Sequence, residues 1–274
     1  MLSDTIRAQC QAVAATARHV TIHPDAASYD GGTTGLDPAL HRLDAPPEEV
    51  ARYVLVLDAI NFGSGWFGEL GIDTNGLTQA LTDRGVPWTA GELRTLRPAD
   101  VAETLGLNAR HELTHLYATA LRQLGDWLGD APLVDRLGDS AQAFAAELVA
   151  GMSFFADPGF HKRAQIAAND LVLAGVAAFA DVDSLTVFAD NLLPHVLRHD
   201  GVLEYAPALA ERIDAGEALE HGSVPEREIR ACTVYVCELL AQRAGVPART
   251  LDNWLWHRGL DLPGTPHRCL TVAY

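Results

Sequence analysis

The chemistry in this chain starts from an acid in apolar company. Asp190 lies in SLTVFADNLLPHVLRHDGVL, from Ser184 to Leu203, and at helical spacing its neighbours are Val187, Leu193 and Leu197. An ionised carboxylate beside a core-facing stripe is costly unless it is paired or hydrogen-bonded, so it needs a structural partner or a functional duty. Pro194 follows four residues later. A helix through this stretch must break, kink or restart there, which puts the acid near a helix end, where backbone polar groups are free.

A second constellation is HELTH, His111 to His115. On a helix, HExxH sets two imidazoles on one face to hold zinc, with Glu112 as general base toward a metal-bound water. No third ligand follows in an HExxHxxGxxH extension. The competing reading is two helix-face histidines in a chain that has 11 of them. No GxxxxGK[ST] or GxSxG occurs, which removes P-loop and hydrolase-elbow chemistry.

The elements that must position these residues are helical. Pro98 to Leu107, His111 to Leu128, Ser140 to Ser153, Lys162 to Phe179, Leu203 to Ile213 and Glu226 to Ala244 repeat apolar residues at three and four spacing. Pro98 can open the first. Pro225, Glu226 and Glu228 put a proline and acids in a first turn, where the helix dipole favours them. Glu48 to Ile60 fits a buried helix, although Tyr53 to Leu57 alone also fits a strand. Ala26 to Ala45, rich in Gly and Asp, reads as loop. There is no internal repeat and no linker, so the expectation is one mostly α-helical domain over 1–274 with little or no sheet.

Composition sets the boundary conditions. Of 274 residues, 48% are hydrophobic and 20% charged, an ordinary globular balance that can bury a cleft. Lys plus Arg number 20 against 36 acids, a formal charge of −16, too few cations to replace the counterions of a long nucleic acid. A single nucleotide remains open. Cys10, Cys232, Cys237 and Cys269 show no zinc-knuckle spacing and read as reduced, buried thiols of a cytoplasmic protein. MLSDTIRAQC has no apolar core, so no secretory signal is expected. The longest apolar run, Leu171 to Ala180, is far short of the roughly 20 residues that cross a bilayer.

Longer segments carry a resemblance. VLDAINF (Val56 to Phe62), FHKRAQIAANDLVL (Phe160 to Leu173), LTVFADNLLPHVLRHDGVL (Leu185 to Leu203) and EREIRACTVYVCELL (Glu226 to Leu240) stand in order across the chain, with LDNWLW (Leu251 to Trp256) and PHRCLTVAY (Pro266 to Tyr274). Together they resemble the queuosine salvage proteins, nucleotide N-glycosylases that release queuine from queuosine 5'-phosphate. The resemblance implies an all-α domain similar to the helix-hairpin-helix DNA glycosylases. It also implies a small nucleotide substrate, no polymeric nucleic acid, no membrane, and no metal or other cofactor.

In that resemblance Asp190 is the implied catalytic carboxylate, and Lys162, in the KRAQ segment, is implied to lie in the same site with Arg163 beside it. Asp58, Asn61, Phe62, Trp66 and Phe67 would serve the substrate. The last four combine an amide with three aromatic faces in a glycine-rich turn, suited to stacking a planar base, or equally to core packing. Glu226 and Glu228 offer acceptors for a guanine-like edge or for an amine, and Arg230 is an ion-pair residue or a phosphate ligand. His267, Arg268 and Tyr274 match the terminal segment without an assigned role. Family members commonly carry a tyrosine and an arginine after the acid, where Asn191 and Leu192 stand here, so any contact made by that arginine must be made differently.

Overall fold

A computed structural model describes residues 1–29, 32 and 35–274. Thirteen α-helices lie among them, with strands of only two or three residues, so the protein is all-α. The chain gathers into two compact units. One comprises Met1–Gly35, Pro158–Lys162 and Asp183–Thr271; the other comprises Leu36–Asp157, Arg163–Val182 and Val272–Tyr274.

The first unit forms around the helix Val224–Ala244, which is buried over most of its length from Glu226 to Ala241. Pro225 sits in its first turn, where a missing N–H costs nothing, and Gly245 ends it in a left-handed conformation at φ 69°. Against it pack the helices Leu2–Ala14, Leu192–His199 and Ala248–Leu260. Their shared core includes Ile6, Leu193, Leu197, Ile229, Val236, Leu251 and Leu255. Val20–Ile22 pairs antiparallel with Leu203–Tyr205, Val20 opposite Tyr205, and Ala218–Leu219 pairs parallel with Arg268–Cys269.

The regular elements among the described residues of the second unit are all helices. The helix Glu112–Leu128 packs against Pro47–Ala59, Ala90–Arg94 and Pro98–Leu105. At Gly125 a Cβ would stand 2.7 Å from the Arg94 backbone nitrogen, so glycine is what allows that close approach. Local caps set several helix starts: Asp73 accepts from Gly76 N–H, Thr89 and Glu92 form a reciprocal capping box, and Ser140 accepts from Ala143 N–H.

Several expected elements change. Leu203 to Ile213 is not one helix, because Leu203–Tyr205 extends to meet Val20–Ile22 and the helix opens only with Pro207, as Pro207–Asp214. The helix from Lys162 stops at Leu173, ahead of Gly175 at φ 73°, rather than reaching Phe179. Glu48 to Ile60 adopts the helical alternative, as Pro47–Ala59. The glycine-rich turn after Asn61 is brief, since Gly63 at φ 90° starts the helix Ser64–Leu70. From Ala26 to Ala45 the described residues contain no helix or strand, as expected, while Asp30, Gly31, Thr33 and Thr34 lie outside the described residues. No helix of the described residues is long and apolar enough to cross a membrane.

Candidate active site

The helical spacing around Asp190 is where the sequence misleads. Residues 185–190 are buried and form neither helix nor strand, and the helix begins only at Leu192, as Leu192–His199. Asp190 precedes that helix and caps it: its Oδ1 accepts from Leu192 N–H at 2.8 Å and Leu193 N–H at 3.2 Å. Pro194 then falls in the first turn, where amides lack helical partners, so no kink is required. The expected position near a helix end stands; the expected helix through Val187 does not.

This irregular segment is held from two sides. Phe188 N–H donates to Asp252 Oδ1 at 2.6 Å, and the Ala189 carbonyl accepts from Arg230 Nε at 3.0 Å. Asp190 is thus fixed by bonds to the residues on either side of it. Only 6% of it is exposed. Burial raises its carboxyl above the ordinary aspartate value, against the Lys162 charge, the two amides and the Arg230 charge, which favour the ionised form.

Lys162 comes from the segment Pro158–Lys162 of the same unit and is itself buried. It is the sole lysine of the chain, all other basic residues being arginine or histidine. That count is legible in the sequence alone. An ammonium is a compact point charge with a readily shifted pKa, whereas guanidinium is a rigid fork, so the exception is informative. His161, just before it, is the one non-glycine described residue at positive φ, 48°. Histidine tolerates that region better than most residues, and backbone strain of this kind collects at functional positions.

Arg230 joins the group from the Val224–Ala244 helix. Its guanidinium lies over the Phe160 ring at 3.9 Å, and its Nη1 stands 3.6 Å from Glu226 Oε1, one turn earlier on the same helix face. Glu226 Oε2 accepts from Gly222 N–H at 3.1 Å. Glu228 points elsewhere and is engaged by the chain itself: its Oε2 accepts from Arg18 N–H, His19 N–H and His19 Nδ1 at 3.0, 2.6 and 3.1 Å. His267, fully buried, is pushed down to about 3 by burial and by the charges of Arg230 and His195, so it is neutral near pH 7. Phe160, Asp252 and His267 are the residues to which no role had been given. Asp252 bonds a main-chain N–H and Phe160 offers a ring face, and neither kind of contact leaves a spacing pattern.

The remaining candidates belong to the second unit. Arg163 donates to the carbonyls of Ala59 at 2.9 Å and Val272 at 2.8 Å, and its guanidinium lies 4.6 Å from the Phe62 ring centre and 5.1 Å from that of Phe155. Burial lowers its pKa, offset by the charges of Asp157 and Asp58. Phe62 packs edge-on against Tyr117 at 5.0 Å, and Tyr117 Oη donates to the Phe62 carbonyl at 2.9 Å. Trp66 is buried, whereas Asn61 and Phe67 are half-buried.

HELTH does not assemble a ligand pair. His111 is the N-cap of Glu112–Leu128 rather than part of it; its Nδ1 accepts from Leu113 N–H at 3.1 Å and its Nε2 lies 3.5 Å from Glu69. His115 is exposed. Among the described residues, no three or more His, Cys, Asp or Glu side chains cluster to hold a metal.

Fold and site together describe an all-helical protein with a buried, capped carboxylate faced by one ammonium and one guanidinium. The family model for queuosine salvage proteins matches residues 77–268. A queuosine 5'-phosphate N-glycosylase/hydrolase of Sphaerobacter thermophilus is 34% identical over 267 residues, covering 83% of this chain and 82% of that protein. The mouse protein of the same name is 29% identical over 70% of this chain and 68% of its own, and that of Dictyostelium discoideum is 39% identical over 42% and 40%. The chain belongs to the queuosine salvage protein family.

Proposed function

We propose that this protein hydrolyses the N-glycosidic bond of queuosine 5'-phosphate, the activity for which its relatives are named, and so releases queuine and ribose 5-phosphate. The observation that carries the reading is Asp190, a buried carboxylate immobilised by two amides in the segment that bears the family resemblance. When the C1'–N bond breaks, its electron pair leaves with the base and positive charge spreads over C1' and the ring oxygen. A preorganised carboxylate stabilises that charge better than water, which must reorient. Water then adds to C1', and the proton it gives up balances the one taken by the departing base nitrogen. Queuine is a 7-deazaguanine, without the nitrogen that is protonated to help a purine leave, so the sugar side bears more of the stabilisation.

Lys162 has two roles in this reading, a 5'-phosphate ligand or a partner of the carboxylate. Its electrostatic action on Asp190 supports the second in the free protein. Glu226, with Oε1 buried and 3.6 Å from Arg230, is the better candidate for the base edge than Glu228, whose Oε2 already takes three bonds. We assign Arg163, Asp58 and Phe62 to holding their unit together, and Asn61, Trp66 and Phe67 to the substrate. The reading treats 1–274 as one functional domain, since the family match runs through segments of both units. Four buried, reduced thiols support a reducing, cytoplasmic setting.

The test is direct. Purified protein is incubated separately with queuosine 5'-phosphate, queuosine and guanosine 5'-phosphate, and free base is measured by mass spectrometry. Queuine released from the nucleotide, and lost in Asp190→Asn, is the expected result. No release from any of the three overturns the reading.

A further inference from the structure

Arg230 is more thoroughly engaged than a phosphate ligand should be. Its Nε donates to the Ala189 carbonyl at 3.0 Å, the residue just before Asp190. Its flat face covers Phe160 at 3.9 Å, two residues before Lys162. Its Nη1 faces Glu226 at 3.6 Å, and the whole side chain is only 1% exposed. A guanidinium spent on a carbonyl, a ring and a carboxylate has little left for substrate, but it touches both segments that carry the candidate pair.

We propose that Arg230 is a positioning residue, which fixes Asp190 through the Ala189 carbonyl and the Lys162 segment through the Phe160 ring. The inference rests on the reading of Asp190 given above. Only a planar cation with a side-facing Nε–H meets these demands at once: the fork bonds in its plane and stacks with its face. Lysine has neither a plane nor an Nε–H. The charged groups facing Asp190 are Lys162 from its own segment and Arg230 from the long helix, while Glu226 and His267 face Arg230 in turn. Removing Arg230 therefore has two consequences. The carboxylate loses its place, and it loses a nearby positive charge that helps keep it ionised.

The experiment compares wild type, Asp190→Asn, Arg230→Met, Arg230→Gln and Phe160→Leu. A misplacement of about 1 Å costs roughly 100-fold in rate, so kcat for Arg230→Met is expected to fall by about that factor with KM changed less than about threefold. The acid limb of its kcat/KM profile moves to higher pH. Phe160→Leu removes the ring but keeps the cation, so it lowers kcat by about tenfold with the limb in place. A readout independent of turnover comes from the single lysine. Protein labelled with 15N-lysine gives one backbone amide signal, from Lys162, whose titration by Asp190 moves upward in Arg230→Met and Arg230→Gln. If Arg230→Met does not fold, Arg230→Gln and Phe160→Leu carry the comparison.

A Met variant with a raised KM and unchanged kcat would make Arg230 a substrate ligand and overturn the inference. So would loss of stability alone, with both the pH profile and the lysine signal unmoved. In either case wild-type release that Asp190→Asn abolishes leaves the functional reading standing. Absence of release by wild type overturns both.

Discussion

Lys162 and Arg163 are neighbours in sequence with the same charge, yet each belongs to a different unit and a different kind of surrounding. Arg163 is bound by the carbonyls of Ala59 and Val272 and sandwiched near the rings of Phe62 and Phe155. Two of its donors are spent on main-chain carbonyls, which do not titrate, and the charges of Asp157 and Asp58 favour its cationic form. Lys162 is buried too, but the group it acts on is the carboxyl of Asp190, which does titrate. The comparison separates two uses of a buried cation: a bracket that holds backbone, and a charge that sets the state of another group. Arginine suits the first because its donors are preorganised, and lysine the second because a point charge adapts to what it faces.

The largest effect should come from the partner of that responsive charge. Asp190→Asn is expected to lower turnover by about 1000-fold, the scale seen when a preorganised electrostatic group is removed, measured as queuine release. Its thermal stability at pH 7 should be no lower than that of wild type. The sign follows from the raised pKa: the folded state binds the proton more tightly than the unfolded chain, so the Asp190 carboxylate weakens folding as pH rises from the unfolded value through the folded one. Asn carries no such cost. A loss of folding in Asp190→Asn at pH 7 would make Asp190 a structural cap before anything else.

Next come the two cations, which should fail in opposite ways. Lys162→Met is expected to cut kcat by about 100-fold with little change in melting temperature. Arg163→Met should leave a folded enzyme active at low temperature but less stable by about 3 kcal/mol, because two carbonyls and two carboxylates lose a buried partner. The exchange variants sharpen the contrast: Lys162→Arg keeps charge and loses activity, and Arg163→Lys keeps charge and loses stability. Thermal melts and turnover on the same samples decide it. Equal loss of both properties in both variants would dissolve the distinction.

A smaller effect follows from the titration itself. If the ionised Asp190 is required, the acid limb of kcat/KM lies above the range of an ordinary aspartate, because burial outweighs Lys162, the two amides and Arg230. Lys162→Met moves that limb further up. A limb at or below the usual aspartate value would mean that the group titrating is not this one.

How much of this the sequence carried depends on the kind of contact. The amphipathic helices were legible from their spacing, and Pro194 correctly pointed Asp190 to a helix end. Residues 185–190 were not, since an irregular buried segment has no period and its apolar letters mimic a helix. Leu203–Tyr205 was absorbed into a helix for a related reason: three residues are too few to show alternation, and their partner Val20–Ile22 is remote in sequence. Arg163 and Arg230 were visible as cations but not by role, because Ala59, Val272 and Ala189 contribute carbonyl oxygens, which every residue has. The single lysine was visible throughout.

The smallest expected effect lies at HELTH, the motif that chemistry by pattern alone would have favoured. Its first histidine caps a helix with Nδ1 and turns Nε2 toward Glu69, while its second faces solvent, so the two rings are not set out as a ligand pair. His115→Ala should change stability by less than about 0.5 kcal/mol and leave turnover unaltered, and wild type should work equally well after dialysis against EDTA. His111→Ala is the instructive companion. It removes a helix cap and should cost about 1 kcal/mol in a denaturant titration while kcat holds, the mark of a bracket rather than of a responsive charge. A tenfold loss of turnover in either variant, restored by added zinc, would return the motif to the chemistry and move the active centre away from Asp190.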